Sequence, residues 1–168
     1  DVLGSAETGS GKTAAFALPV LQSLSVEPYG VFAVVLSPAR ELAMQIADQF
    51  NALGARMGVR VAVVVGGRDM MQQALELSER PHIVVGTPGR LADHFRSSEE
   101  LAATMAKARF LVIDEADRLL EPGFADDVGF IVKQLPAARR QTLLFSATMS
   151  GALQRLQSLA LKKPFVAD

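Results

Sequence analysis

The sequence predicts a doubly wound α/β domain on a mostly parallel central sheet, and two patterns carry that prediction. Short apolar runs rich in Val, Leu, Ile and Phe recur without alternating polar residues, as in strands buried on both faces. Stretches with helical periodicity separate these runs, which implies right-handed crossovers and helices on both faces of the sheet. The predicted strands are 2–3, 31–36, 59–65, 83–85, 110–113 and 142–145. The predicted helices are 12–23, 40–53, 70–77, 90–95, 124–135 and 151–161.

Composition narrows the class of protein. The 168 residues suit one domain, and 49% hydrophobic with 21% charged residues is typical of a globular chain. The absence of cysteine excludes a disulfide framework, a cysteine-ligated metal site and a catalytic thiol. The 17 basic and 18 acidic residues give a net charge of −1, which excludes a strongly basic nucleic-acid binder but not a local basic groove.

Several polar residues and methionines are interpreted as parts of the surface or the packing rather than of a functional site. Residues 96–107 are expected to form a surface loop or short helix, and Arg139-Arg140 a solvated surface. The methionines interpreted as packing residues are Met44, Met70, Met71 and Met105. No signal peptide or membrane-spanning segment is visible, so we expect an intracellular setting and no membrane partner.

A phosphate-binding loop is indicated between the first strand and the first helix. Gly9 and Gly11 would let backbone N–H groups turn toward phosphate oxygens. Lys12 would supply a positive charge to the β and γ phosphates, and Thr13 would place a hydroxyl on Mg²⁺. The alternative is a Gly-rich turn with an exposed lysine. The complete pattern, with Ala in place of the usual first Gly, is Ala6, Glu7, Thr8, Gly9, Ser10, Gly11, Lys12 and Thr13.

Acidic residues follow the buried strand predicted at 110–113. A carboxylate at such a strand end is costly unless a cation meets it. Asp114 would hold Mg²⁺, and Glu115 would orient or deprotonate the attacking water, so the expected catalytic residues are Glu115, Asp114 and Lys12. The alternative is an acidic helix N-terminus that complements the helix dipole.

With Ala116 and Asp117, this segment resembles the signature of the DEAD-box family of ATP-dependent RNA helicases. Further segments match motifs of that family in its order, and together they cover essentially the whole chain. They are residues 6–13, 38–42, 66–67, 87–90 and 146–148. The resemblance implies that residues 1–168 are an N-terminal RecA-like domain, a three-layer α/β/α fold, with ATP and Mg²⁺ as cofactors.

The resemblance also implies further site residues and partners. RNA would be bound through its backbone, independent of sequence, and the residues facing it would be Pro38, Arg40, Gly67, Thr87, Gly89 and Arg90. The hydroxyls of Ser146 and Thr148 would bond Asp117 and couple the ATP state to domain closure. The expected partners are RNA, a second RecA-like domain of the same protein and protein cofactors. For the RNA-facing segments the alternative is ordinary helix caps and turns.

The chain also departs from the family pattern. Ala39 stands where the family usually has Thr, and neither the adenine-reading segment nor the second domain with its arginine finger is included. No arginine here is expected to replace that finger, because Arg40, Arg68 and Arg90 belong to the RNA face and Arg118 follows the acidic segment. Residues 74–78 and 90–94 resemble the subgroup that acts in nucleolar small-ribosomal-subunit assembly, which implies a nuclear or nucleolar location; otherwise we expect the cytoplasm.

Two other functions remain open on the sequence. One is a DNA helicase or translocase of related build, against which Asp117 and the Thr87–Arg90 segment weigh. The other is a nucleotide-gated docking module that clamps a protein or RNA without unwinding it. RNA binding strengthened by a non-hydrolysable ATP analogue in the longer protein would favour the helicase.

Overall fold

One seven-stranded sheet forms the centre of the computed structural model, which describes residues 1–5, 11–135, 138–148 and 151–167, apart from the side chain of Ala152. Every pairing between neighbouring strands is parallel. The strands are β1 Val2–Ser5, β2 Ala33–Leu36, β3 Val61–Val64, β4 Ile83–Gly86, β5 Phe110–Ile113, β6 Gln141–Ser146 and β7 Phe165–Ala167. Their order in the sheet is β3-β4-β2-β5-β6-β1-β7.

Helices connect the strands and cover both faces of the sheet. They are α1 Lys12–Val26, α2 Arg40–Gly54, α3 Met70–Ser78, α4 Pro88–Ser97, α5 Glu99–Met105, α6 Ala116–Leu119, α7 Ala125–Gln134 and α8 Gly151–Ala160. A single 3-10 turn, Ala55–Met57, follows α2. Within the described residues, no helix is both long enough and apolar enough to span a bilayer.

Strand side chains alternate between two cores, as the pleat requires. In β2, Val34 and Leu36 pack into the core beneath α3, α4, α5, α7 and α8. Ala33 and Val35 pack on the other face, against α1 and α2. The predicted three-layer α/β/α fold is therefore confirmed, and the buried apolar runs are the strands of an all-parallel sheet.

The strand order divides the carboxyl edge of the sheet into two halves. β5, β6 and β1 are consecutive neighbours, so the loops that follow them lie side by side. β2, β4 and β3 form the other half. Ligands of open parallel sheets bind beyond the carboxyl ends of the strands, and each half is therefore a place to look for a site.

Some expectations are wrong in detail. β7 was not predicted, because its three residues are exposed and lack a buried apolar run. Arg140 is buried rather than solvated: it donates to the carbonyls of Val132 (2.8 Å) and Ala160 (3.4 Å) near the ends of α7 and α8. Met44 and Met71 are exposed, whereas Met105 is buried as expected.

Candidate functional site

Lys12 and Asp114 approach each other where β1 and β5 end. Lys12 begins α1, and Gly11 before it has the left-handed φ of +92° that glycine adopts without strain. The Lys12 Nζ lies 3.8 Å from the Asp114 Oδ1, and the two side chains are only 8% and 4% exposed. The sheet thus brings the cation of one predicted motif to the carboxylate of another. Predicted loop residues Ala6, Glu7, Thr8, Gly9 and Ser10 lie outside the described residues.

The environment of Asp114 raises the pKa of its carboxyl. Burial raises the pKa of this carboxyl above its usual value, and the neighbouring Glu115 and Asp117 add to the rise. Lys12 and a hydrogen bond from the Glu115 N–H (3.0 Å to Oδ1) act in the opposite direction without cancelling the effect of burial. Lys12 and this hydrogen bond therefore do not offset the full cost of burying an ionised Asp114 carboxylate. A divalent cation beside Asp114 would supply the additional positive charge.

Glu115 adopts an unusual backbone conformation and has its own cationic partner. Its φ of +50° places a non-glycine residue in the left-handed region, at the N-cap of α6. Its Oε2 lies 3.0 Å from the Arg118 Nη1, and the carboxylate side chain is 14% exposed. The sequence placed Arg118 after the acidic segment without identifying this ion pair.

Thr148 and Asp117 join the loop after β6 to the acidic segment after β5. The Thr148 hydroxyl donates to the Asp117 Oδ2 at 3.1 Å. Ser146 differs from the expectation, because its hydroxyl donates instead to the Thr148 carbonyl (2.8 Å) and accepts from the Thr148 N–H (3.4 Å). Ser146 therefore shapes the turn that presents Thr148, and within the described contacts only Thr148 reaches Asp117.

A cavity of about 320 Å³ opens beside these groups. Thr13, Asp114 and Glu115 offer it hydroxyl and carboxylate oxygens, the hard ligands that Mg²⁺ prefers. Within the described residues no cluster of three His, Cys, Asp or Glu side chains could hold a metal by itself. Mg²⁺ is commonly held by one or two carboxylates together with substrate phosphates, so this donor set fits it. Sequence reasoning missed three lining residues on α2: Leu42, Gln45 and Gln49.

The other half of the carboxyl edge is organised around the turn after β3. Gly67 has a φ of +80°, and a side chain there would collide with the Arg40 guanidinium. Arg40 is the first residue of α2, which follows β2. Its guanidinium lies against the backbone of Gly66 and Gly67. The two predicted RNA-facing residues are therefore in direct contact.

Arg90 and Arg68 donate hydrogen bonds to backbone carbonyls at and before the same turn. The Arg90 Nη1 donates to the Arg68 carbonyl at 2.8 Å. Arg68 in turn donates to the Val63 carbonyl (3.0 Å) and pairs with Glu76 (3.1 Å). Arg40, Arg68 and Arg90 thus gather at one turn.

The remaining predicted residues of this half stand at helix starts. Pro38 lies in the loop between β2 and α2 and is buried, so its side chain is not open to RNA as expected. Thr87 is the N-cap of α4, with Pro88 in the first helical position. Within the described residues the Thr87 side chain makes no capping hydrogen bond. The first N–H groups of a helix have no intrahelical acceptor, so those of Gly89 and Arg90, the residues after Pro88, can donate to an anion.

The three-layer α/β/α fold has an all-parallel central sheet, and a lysine and a carboxylate meet at the carboxyl edge of that sheet. This arrangement defines a RecA-like α/β domain. The DEAD/DEAH box helicase family model matches residues 1–156, and the chain belongs to that family.

Named relatives and solved structures agree with this assignment. The chain is 59% identical over 168 residues to the probable ATP-dependent RNA helicase DDX49 of Homo sapiens, and the match covers 98% of this chain and 34% of that protein. It is 55% identical to the ATP-dependent RNA helicase dbp8 of Schizosaccharomyces pombe, covering 92% of this chain and 35% of that protein. The chain therefore spans about a third of the length of these relatives.

Similar structures include a DEAD box protein from the hyperthermophile Methanococcus jannaschii, with a TM-score of 0.88 at 36% identity. That match covers 99% of this chain and 44% of the other. The yeast DEAD-box splicing factor Prp28 gives a TM-score of 0.87 at 34% identity, covering 99% of this chain and 41% of Prp28. The family predicted from the motifs is confirmed.

Proposed function

We propose that residues 1–168 form the ATP-binding and RNA-contacting N-terminal domain of an ATP-dependent RNA helicase. The observation that carries the proposal is the approach of Lys12 to Asp114, two buried charges from separate motifs at the ends of β1 and β5. Such a pair is costly unless it serves a charged ligand. A nucleoside triphosphate with Mg²⁺ would place phosphate oxygens on Lys12 and a metal ion on Asp114.

Each residue of this half has a distinct role in the proposal. When bound, Mg-ATP supplies the phosphoryl group that is transferred to water. Lys12 binds the β and γ phosphates, and the Thr13 hydroxyl and Asp114 hold the metal. Glu115 orients or deprotonates the attacking water, and its ion pair with Arg118 limits the directions in which its carboxylate can point. The resemblance implies that the predicted loop residues Ala6 to Gly11 also bind the phosphates.

The other half of the edge binds the RNA backbone. Arg40 and Arg90 bring positive charge to the turn at Gly67, and the N-terminus of α4 offers N–H groups to phosphate. Contacts of this kind position a strand without reading its bases. Thr87 stands at the start of α4 on the same surface, and the buried Pro38 lies in the loop before α2.

Coupling between the halves runs through the loop after β6. The Thr148 hydroxyl on Asp117 ties the 146–148 turn to the acidic segment that contains Asp114 and Glu115. We propose that this turn meets the second RecA-like domain of the longer protein, and that closure of the two domains joins ATP binding to local unwinding of RNA.

A role in ribosome assembly, with protein cofactors and a nuclear or nucleolar location, completes the proposal. It rests on the subgroup resemblance of residues 74–78 and 90–94. Co-sedimentation of the tagged intact protein with precursor particles of the small ribosomal subunit would support it. Uniform distribution through the cytoplasm, with no such association, would contradict it.

The central experiment measures phosphate release with and without RNA, for this chain and for the longer protein that contains it. We expect RNA-stimulated turnover in the longer protein only. An arginine finger contributes about 10³–10⁵ in rate, and the motifs in residues 1–168 supply none. RNA-stimulated turnover by this chain alone would refute the division of the site between two domains. Nucleotide-dependent RNA binding without turnover or unwinding in the longer protein would favour the docking module instead.

A further inference from the structure

Arg96 joins α4 to α7 through Asp127 and Phe130, and it also approaches Asp93 on its own helix. Its Nη2 lies 2.8 Å from the Asp127 Oδ1, and its Nη1 lies 3.9 Å from the Asp93 Oδ1. Its guanidinium carbon is 4.6 Å from the centre of the Phe130 ring. The Arg96 side chain is half exposed, whereas that of Asp127 is 23% exposed. None of these residues belongs to the sites described above.

Asp127 also faces the start of α4. A Cβ placed on Gly89 would lie 3.6 Å from the Asp127 Oδ2, so this carboxylate stands beside the first turn of the helix. Asp127 lies in the first turn of α7, where the helix dipole favours a negative charge. A fixed negative charge therefore borders the N–H groups that the proposed RNA face offers to phosphate.

A carboxylate in that position opposes the binding of a phosphate. A unit charge about 7 Å from a phosphate, at an effective dielectric constant between about 40 and 80, changes affinity about three- to sevenfold. Arg96 is the cation in contact with Asp127, and Arg90 in the same first turn is directed instead to the Arg68 carbonyl. Arg96 is therefore the residue that neutralises the negative charge of the Asp127 carboxylate.

We propose that Arg96 is a positioning residue for RNA: it holds Asp127 in an ion pair and so keeps that carboxylate from repelling a phosphate at the first turn of α4. The inference rests on the RNA face proposed above. Arg96 acts through Asp127 and does not itself contact the strand. A consequence is that the loss of Arg96 is harmful only while Asp127 keeps its charge.

A double-mutant cycle tests this dependence in the intact protein that contains these residues. The probe is a fluorescein-labelled oligouridylate, with affinity measured by anisotropy in the presence of a non-hydrolysable ATP analogue. Arg96→Gln should weaken binding about three- to sevenfold, and Asp127→Asn should leave it unchanged or strengthen it up to about threefold. The combination of both changes should return affinity to within about twofold of Asp127→Asn alone.

Three controls separate the electrostatic role from a structural one. Arg96→Lys keeps the charge but loses the planar fork, so RNA affinity should stay near that of the wild type even if thermal stability falls. Asp126→Asn removes a charge from the same turn of α7 without facing Gly89 and should change affinity less than twofold. Should Arg96→Gln fail to fold, the Asp127→Asn and Arg96→Lys variants still test the inference.

Three results of the RNA-binding measurements would contradict the inference or the RNA face on which it rests. If the double variant binds as weakly as Arg96→Gln, Arg96 contacts RNA directly or acts through the fold, and the inference is wrong. It is also wrong if Arg96→Gln leaves affinity unchanged while Arg90→Ala weakens it. If neither change affects RNA binding, the proposed RNA face itself has failed, because Arg90 is central to that face.

Discussion

The two halves of the carboxyl edge use charge in opposite ways. In the nucleotide half, Lys12 and Asp114 are almost entirely buried and face each other across a gap of 3.8 Å. In the RNA half, Arg40, Arg68 and Arg90 lie on a backbone turn, with Arg68 and Arg90 bonded to main-chain carbonyls. One half concentrates charge in a few buried groups, and the other spreads it over a surface.

This difference determines how each half should respond to substitution. Buried charges interact strongly because little water screens them, so single changes in the nucleotide half should have large effects on nucleotide binding or hydrolysis. Surface arginines are screened and share their contacts, so single changes in the RNA half should have small effects that depend on salt.

Glu115→Gln should give the largest effect. The amide keeps the size of the side chain but cannot act as a base, so hydrolysis by the longer protein should fall about 10²-fold or more while ATP and RNA still bind. Turnover and binding are measured in parallel. The matched control is Arg118→Ala, which removes the 3.0 Å ion pair but keeps the carboxylate and should leave turnover within a few-fold. Equal loss of binding and turnover in Glu115→Gln would mean that Glu115 is structural.

Lys12→Ala should weaken Mg-ATP binding about a hundredfold or more. A charge-assisted hydrogen bond contributes about 1.5–3 kcal/mol, and Lys12 is expected to make more than one to the phosphates. Isothermal titration of the chain with Mg-ATP measures the change, and circular dichroism checks the fold. Unchanged affinity would refute the phosphate-loop interpretation and remove the contrast between the two halves.

Arg90→Ala should weaken RNA binding only several-fold, and equally for all sequences. The log–log slope of affinity against salt should be about −2 for the chain, corresponding to two or three neutralised phosphates, and should become shallower by about 0.7 in the variant. Anisotropy titrations over a salt series, with two unrelated oligonucleotides, measure both quantities. A strong preference for one sequence that disappears in Arg90→Ala would contradict a surface that reads only the backbone.

Asp114→Asn should not lower the stability of the chain at pH 7 in the absence of nucleotide, although it should weaken Mg²⁺-dependent binding. Because burial raises the pKa of Asp114, the folded state holds its proton more tightly than the unfolded state, and ionisation of this group costs stability. The variant's melting temperature should therefore equal or exceed that of the wild type by up to about 4 °C.

The linkage between protonation of Asp114 and folding also predicts how the stability difference between the wild type and Asp114→Asn depends on pH. As the pH falls toward the raised pKa of Asp114, the wild-type carboxyl takes up a proton and the difference between the two proteins should narrow. Thermal unfolding at pH 7 and at pH 5 measures this, with Asp126→Asn as a control for an exposed carboxylate. A variant that melts well below the wild type at pH 7 would show that the Lys12 attraction outweighs the cost of burial.

Much of the fold could be predicted from the sequence because its signals are local. The run at 110–113 is apolar throughout, which identifies a strand covered on both faces, and β5 spans the same residues. The predicted helices at 12–23 and 40–53 begin where α1 and α2 begin. The short elements β7 and α6 escaped prediction, since three or four residues carry too little periodicity.

The sequence by itself therefore determined the element types, the motifs and their positions after strands, because each depends on residues close together in the chain. Only the tertiary structure decided which motifs meet. The order β5-β6-β1 brings Asp114 to Lys12, and the packing of α4 on α7 brings Asp127 to Gly89. Contacts of this kind join residues far apart in sequence, and no local pattern encodes which strands become neighbours or which helix faces another.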